Sequence, residues 1–331
     1  MPSFLRRGFF FVFLLTGFPQ LLSAHHPVQA QLAAHHEREN AGIASGPMIN
    51  SPTASTLGKN HVAGGFLLHY TRYNSIPASN AHRLHHDGRD IHGKNHEEIY
   101  EFQLGYGVLE DLDLYLSAPI VSKNSIEIDS HARLGAKEHA TGFGDMRLLG
   151  KYRFFKQYVE AALLAGIKFP TGRTTAERGS DTEFETELQP GSGSWDGQFG
   201  IVLSRSFKQR LSLASSFEYF LNTKGAQEHE MGDSFRYNIG ASYVLRALGK
   251  RPNVSLVLEM NTEWAKKDSS RTMNRVFDSG GTTVLLSPGM VFDLTKNLSA
   301  YWAMPVPIYQ NLGGEHEELN LQVLTGVSLH F

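Results

Sequence analysis

The sequence predicts an all-β protein, a transmembrane antiparallel β-barrel of twelve strands with short periplasmic turns and long extracellular loops. Three observations predict it. Twelve segments after about residue 61 alternate apolar and polar residues with a period of two. The connections between them are in turn tight and long. Beyond the N-terminus, no stretch reaches the run of about 18 apolar residues that a membrane helix needs. A mean hydropathy of -0.27 looks like that of a soluble chain. Barrels hide their membrane character in this way, because only alternate residues meet lipid.

The N-terminus reads as a targeting segment. Arg6 and Arg7 precede an apolar run from Gly8 to Phe18 that is too short for a helical span of about 20 residues. Pro19 breaks it, and small-residue cleavage sites follow at Ala24 and Ala30. Residues 1–30 are therefore expected to be a signal peptide, 31–60 an N-terminal segment and 61–331 the barrel. Glu39 to Asn60, rich in Gly, Ser, Thr, Pro and Ala, has the composition of a linker.

The first strand, about 61–73, sets Val62, Phe66, Leu68 and Tyr70 on one face. The second, about 97–109, alternates Tyr100, Phe102, Leu104 and Tyr106 with Glu101, Gln103 and Gly105. The third sets Leu112, Leu114, Leu116 and Ile120 against Asp113, Tyr115 and Ser117. The fourth, about 143–155, sets Met146, Leu148, Tyr152 and Phe154 against Asp145, Arg147, Lys151 and Arg153. In the fifth, Leu163, Ala165 and Ile167 oppose Glu160 and Lys168. The sixth (Phe199, Ile201, Leu203), seventh (Leu213, Phe217, Leu221), eighth (Phe235, Tyr237, Ile239) and ninth (Leu256, Leu258, Met260) oppose polar sets that include Gln198, Glu218, Arg236 and Glu259. The tenth carries Val284, Leu286, Met290 and Phe292, and the eleventh Leu298, Trp302, Val306 and Ile308. The last alternates Leu319, Leu321, Val323, Thr325, Val327, Leu329 and Phe331 with Asn320, Gln322, Ser328 and His330.

One alternating stretch would also suit a half-buried soluble strand. The charges at strand centres decide more: Arg147, Lys151, Arg153, Glu160, Lys168, Glu218, Arg236 and Glu259 would line a wet lumen and could act as a selectivity filter or as a salt-bridged filling. Tight turns such as Glu110-Asp111 and Lys156-Gln157 alternate with long loops at about 74–96, 122–142, 170–193, 223–233, 266–281 and 310–317. An even strand count places both ends in the periplasm, as export requires. The terminal Phe331 resembles the signal by which the outer-membrane assembly machinery recognises its clients. The expected location is the outer membrane of a Gram-negative cell, with lipid, that machinery and a small solute as partners.

GFGDMRLLGKYRFF from Gly142, GIKFPTG from Gly166, QPGSGSWDGQFGI from Gln189 and YGVLEDLDLYLSAPIV from Tyr106 occur in order along the chain. In these segments the chain resembles the outer-membrane proteins named for the meta-pathway of phenol degradation, grouped with the long-chain fatty-acid and aromatic-hydrocarbon transporter barrels. The resemblance covers about residues 45–331 and implies a passive channel for small, often hydrophobic compounds. In the transporter barrels the chain before the first strand folds back as an internal hatch. This makes residues 31–60 either a lumen-lodged segment or a periplasmic tail.

The chain departs from that theme in its 16 histidines. His82, His85, His86, His92 and His96 share the first long loop with Asp87 and Asp90, and His229 lies between Glu228 and Glu230. Neutral imidazole with carboxylate suits Zn or Ni, bound loosely and not as a required cofactor. A net charge of -2 suggests no nucleic acid, and the lack of cysteine excludes thiolate sites and disulfides. No nucleophile elbow, phosphate loop or HExxH motif is present, so no enzyme is expected. The expected function is a passive outer-membrane channel for hydrophobic organics or for transition-metal ions or chelates. The alternative is a sealed surface barrel with histidine-rich loops that bind metal or a partner.

Overall fold

A computed structural model describes residues 48–74, 92–128, 134–177, 183–184, 186–207, 210–245, 252–271, 279–313 and 318–331; the side chains of 92–94, 125–128 and 134–138 lie outside that description. The predicted signal peptide lies outside the described residues as well. Among the described residues the strands are β1 (Val62–Tyr73), β2 (His92–Leu109), β3 (Leu112–Ile128), β4 (Leu134–Phe143), β5 (Arg147–Lys156), β6 (Glu160–Lys168), β7 (Asp196–Phe207), β8 (Leu211–Leu221), β9 (Ser234–Val244), β10 (Asn253–Ala265), β11 (Gly281–Asp293), β12 (Leu298–Ala303), β13 (Val306–Leu312) and β14 (Leu319–His330).

All strands join one antiparallel sheet that closes on itself. β1 pairs with both β2 and β14, and β10 with both β9 and β11. Two staves of the barrel are broken. β5 pairs with β3 from Leu112 to Ser117 and β4 with β3 from Ile120 upward, so the two strands form one stave interrupted at Gly144–Met146. β12 and β13 likewise share the flank of β11, parted at Met304-Pro305, where proline cannot donate to the ladder. The result is a twelve-stave barrel. Closure leaves no open edge, which is what lets strands sit in hydrocarbon with every ladder bond made.

The alternation sorts as its chemistry requires. Phe102, Leu104, Leu163, Phe199, Ile201, Phe217, Ile239 and Leu258 stand exposed on the outer wall, while Asp113, Lys151, Lys168, Glu218 and Glu259 are buried inside. Aromatic side chains gather near the strand ends: Tyr106, Tyr152, Tyr158 and Tyr243 at the end with the tight turns, and a contacting group of Phe217, Tyr219, Phe235 and Trp264 toward the other. Outer-membrane barrels carry such girdles at both interfaces, with the long loops facing outward. First and last strands are sutured at the tight-turn end by reciprocal bonds of Val62 and Phe331, at 3.1 and 2.8 Å.

Three expectations change. The stretch 122–142 is not a long loop but mostly a hairpin, with Lys123 opposite Ala140 and Asn124 opposite His139. Its sequence is largely polar, and the alternation of Ile126-Glu127-Ile128 is too short to mark a pair of strands. β2 likewise starts at His92, which puts His96 in a strand. Leu319 does not share the outer face of Leu329. The pairing shifts between Arg72 and Tyr73, so that Tyr73 meets Leu319, and Leu319 turns inward to 2% exposure.

Candidate functional site

The inward faces carry the side chains that could act on a solute, and residues 48–57 run among them. From the tight-turn end, Asn60 donates its N–H to Gly107 O at 2.7 Å, and Thr56 Oγ1 bonds Glu110 O at 2.8 Å. The Asp113 carboxylate accepts the Leu57 N–H at 3.0 and 3.2 Å and the Tyr115 hydroxyl at 2.6 Å. Lys151, fully buried 3.7 Å from Asp113, donates to Ser55 O. Ser55 Oγ donates to Glu160 at 3.0 Å, and Ala54 N–H to Ser204 Oγ at 3.1 Å. The segment then reaches the far wall, where Glu259 accepts the N–H groups of Ile49 and Asn50, with closest distances of 3.1 and 2.9 Å. Met48, Ile49, Asn50 and Ser51 are buried, and Ala54 is buried on the near side with Leu57, Tyr115 and Leu164. Small polar residues suit this path, because a chain crossing a lumen must satisfy its backbone groups from the walls.

Each of the eight lumen residues is placed on the inward face. Arg153 forks between Asp111 at 2.7 Å and Glu160 at 3.2 Å, and Lys156 reaches Asp111 at 3.2 Å. Burial raises the Asp111 carboxyl, but the hydrogen bonds from Arg153 and Lys156 outweigh it and hold the group below the usual carboxylate range. Glu218 accepts from Gln198 at 2.9 Å, Ser216 at 3.1 Å and Asn238 at 3.3 Å. Arg236 pairs with Glu263 at 3.0 Å and lies over the Phe220 ring. Arg147 is buried opposite Lys168 in the ladder.

Toward the outer end of the lumen a knot of polar contacts is built where three of the sequence segments meet. Asp145 sits in the break between β4 and β5. It accepts the Gly172 N–H at 2.8 Å and both the N–H and the hydroxyl of Ser192, at 2.8 and 2.7 Å. Lys168 lies 3.5 Å from Asp145, contacts Asp196, and donates to Ser192 Oγ at 2.5 Å. Gly172 and Gly191 pass back to back: a Cβ on Gly172 would lie 2.6 Å from the Gly191 Cα, so neither tolerates a side chain. Lys123 ties the same loop inward, bonding Gln189 O at 2.7 Å and Glu187 O at 3.0 Å.

Not all of the inner wall is charged. Leu67 on β1, Leu319 and Leu324 on β14, Tyr301 on β12, Leu285 and Val291 on β11 and Val257 on β10 form one buried apolar cluster with Met48 and Ile49. Composition reasoning did not isolate this patch, because its members are scattered singly among polar inward positions. Their shared parity with Ser287, Glu259 and Gln322 was the available signal.

Of the five histidines read as metal ligands, His82, His85 and His86 lie outside the described residues, as does the side chain of His92. His96 is half-buried, its ring 5.8 Å from that of Tyr70.

A closed barrel with an apolar outer belt, aromatic girdles and a polar interior defines an integral β-barrel of the outer membrane. The chain belongs to the family described as "Putative MetA-pathway of phenol degradation", whose model matches residues 89–331. No curated protein matches the sequence. Among solved structures, the chain is similar to the COG4313 outer membrane channel from Pseudomonas putida F1, at 12% identity, 86% coverage of this chain, 100% of that chain and a TM-score of 0.61. That likeness is one of fold. The NanC porin (8% identity, 82% of this chain, 98% of that, TM-score 0.44) and the CymD monoaromatic hydrocarbon channel (12%, 82%, 88%, TM-score 0.40) lie further away.

Proposed function

We propose that this chain is a passive outer-membrane channel for small, largely apolar organic compounds of the single-ring aromatic class. The observation that carries this reading is the apolar patch of β10, β11, β12, β14 and β1 inside the barrel, occupied by Met48 and Ile49. A general hydrophilic pore keeps its lumen polar. Here a solute that displaces Met48 and Ile49 meets Leu67, Val257, Leu285 and Leu324, and its transfer from water to that surface is favourable by about 25 cal/mol per Å². The family description, which concerns phenol degradation, agrees with such a cargo.

In this reading the eight charged residues serve chiefly as a frame. Lys151, Glu160 and Glu259 hold residues 48–57, and Lys168 holds the loop that carries Ser192. Their contacts are made to the walls and to the inserted segment, a role that does not depend on the charge of the solute. The test is uptake of radiolabelled toluene by intact cells that make the wild-type protein or the variants Val257→Asp and Leu285→Asp. Wild type is expected to raise uptake above that of cells lacking the protein, and each aspartate to bring it down while leaving surface levels unchanged. Uptake that the aspartates leave untouched would refute the apolar path.

A further inference from the structure

Three outer loops each send one ligating side chain to a single point. Glu187 comes from the 3-10 turn Thr186–Leu188, His229 follows the turn Ala226–Glu228, and Asp268 follows β10. One ligand atom from each lies within 4.8 Å of the other two. His229 Nε2 is 3.4 Å from Asp268 Oδ2 and 3.9 Å from Glu187 Oε1. Around a tetrahedral zinc ion with bonds of about 2.0–2.2 Å, neighbouring ligand atoms stand about 3.3–3.6 Å apart. The first separation already has that value; the second, and the Glu187–Asp268 separation of at most 4.8 Å, close as the half-buried glutamate swings inward.

The ligands are also held from behind. The Asp268 side chain is 1% exposed, and its other oxygen accepts the Gly232 N–H at 2.7 Å, which fixes Oδ2 toward His229. Ser279 Oγ accepts the Asp268 N–H at 2.8 Å. Glu230 and Ser269 exchange backbone bonds of 2.8 and 2.9 Å, locking the loop of His229 to that of Asp268. Thr186 locks the third loop to them, donating its N–H to Gln227 Oε1 at 3.1 Å and its hydroxyl to Ala226 O at 3.0 Å. Metal sites are built in this way, with outer partners orienting the ligands. Charge points in the same direction. A protonated His229 would balance one of the two carboxylates, whereas a divalent ion balances both while the imidazole stays neutral.

We propose that Glu187, His229 and Asp268 bind one divalent cation of the zinc class, with a fourth position open to water, and that the ion staples three outer loops into one cap over the barrel. The imidazole-plus-carboxylate set favours zinc-like ions over calcium or magnesium, which take oxygen ligands in greater number. The experiment uses the full chain, folded in detergent, with His82, His85, His86, His92 and His96 all replaced by Gln so that their loop cannot contribute. Zinc chloride is titrated in, and bound zinc is measured by elemental analysis after gel filtration. One equivalent is expected to remain. His229→Gln and Glu187→Gln, each added to that background, should weaken binding at least about tenfold. Asp268 is left intact because it also holds Gly232, and heat-modifiable migration on gels verifies that each variant is folded. Absence of zinc from the background protein, or equal uptake after both substitutions, would overturn the site.

Discussion

At the scale of the residue, the chain places charge where only a partner makes it tolerable. Lys168 is 3% exposed and lies between Asp145 and Asp196. Removing one member of such a cluster leaves an uncompensated buried charge, at a cost of about 3–5 kcal/mol. Lys168→Met is therefore expected to lower stability by that amount, and adding Asp196→Asn to recover part of it, as read from urea-dependent refolding into lipid vesicles followed by tryptophan fluorescence. A Lys168→Met protein as stable as wild type would show that the knot is not what ties the outer loop down. Parity gives a second expectation. Leu163 is 48% exposed on the outer wall at mid-strand, where an arginine costs about 2–4 kcal/mol. Leu163→Arg should thus fold far worse than Glu160→Gln, which loses a part-exposed pair worth about 1 kcal/mol or less. Much of this was legible in the sequence, since alternation alone sorted Leu163 from Glu160 and Lys168. The inward parity of Asp145 was readable too, and Asp196 faces Lys168 directly across the β6–β7 ladder; that Asp145 closes on the same lysine was not, because it stands in the break between β4 and β5, outside either ladder.

At the scale of the element, departures from regular strands mark where the barrel is held together. The break at Gly144–Met146 lets Asp145 turn inward to take the Gly172 and Ser192 amides, so that three sequence segments some distance apart in the chain converge. Their order along the sequence was readable, but their meeting point was not, since it depends on two glycines packing without side chains. Residues 48–57 teach the same lesson: their composition is a linker's, yet it is the carboxylates of Asp113, Glu160 and Glu259, far along the chain, that fix their course. The turn between β2 and β3 offers a pH test. Asp111 is held below its ordinary value, so its clamp with Arg153 and Lys156 contributes stability above about pH 4 and loses it as the pH falls through the lowered folded value. The difference in urea midpoint between wild type and Asp111→Asn should be constant near neutrality and shrink on acidification below about pH 4. A difference that stays flat to pH 2 would mean that the clamp does not titrate as the geometry requires.

At the scale of the whole molecule, closure explains both residence and transport. With β1 sutured to β14, the sheet runs round the ring without an open edge, and the apolar belt solvates in lipid. The interior is then free to carry chemistry of its own: charged groups that hold the inserted segment, an apolar cluster around Met48 and Ile49, and a second one on the side of β3, β5, β6 and β7 around Ala54 and Leu57. The twelve-stave count and the sidedness of the loops followed from sequence, because each depends on local period and turn length. What the lumen holds depends on contacts up to 210 positions apart and needed the structure. The most direct measurement of the central claim is single-channel conductance in planar bilayers, for the full chain and for a chain lacking residues 48–57, with heat-modifiable migration confirming that both barrels are folded. A passive channel narrowed by that segment predicts small openings from the full chain and openings several-fold larger after its removal. A folded barrel that conducts no current with or without residues 48–57 would contradict the account and identify a sealed surface protein instead.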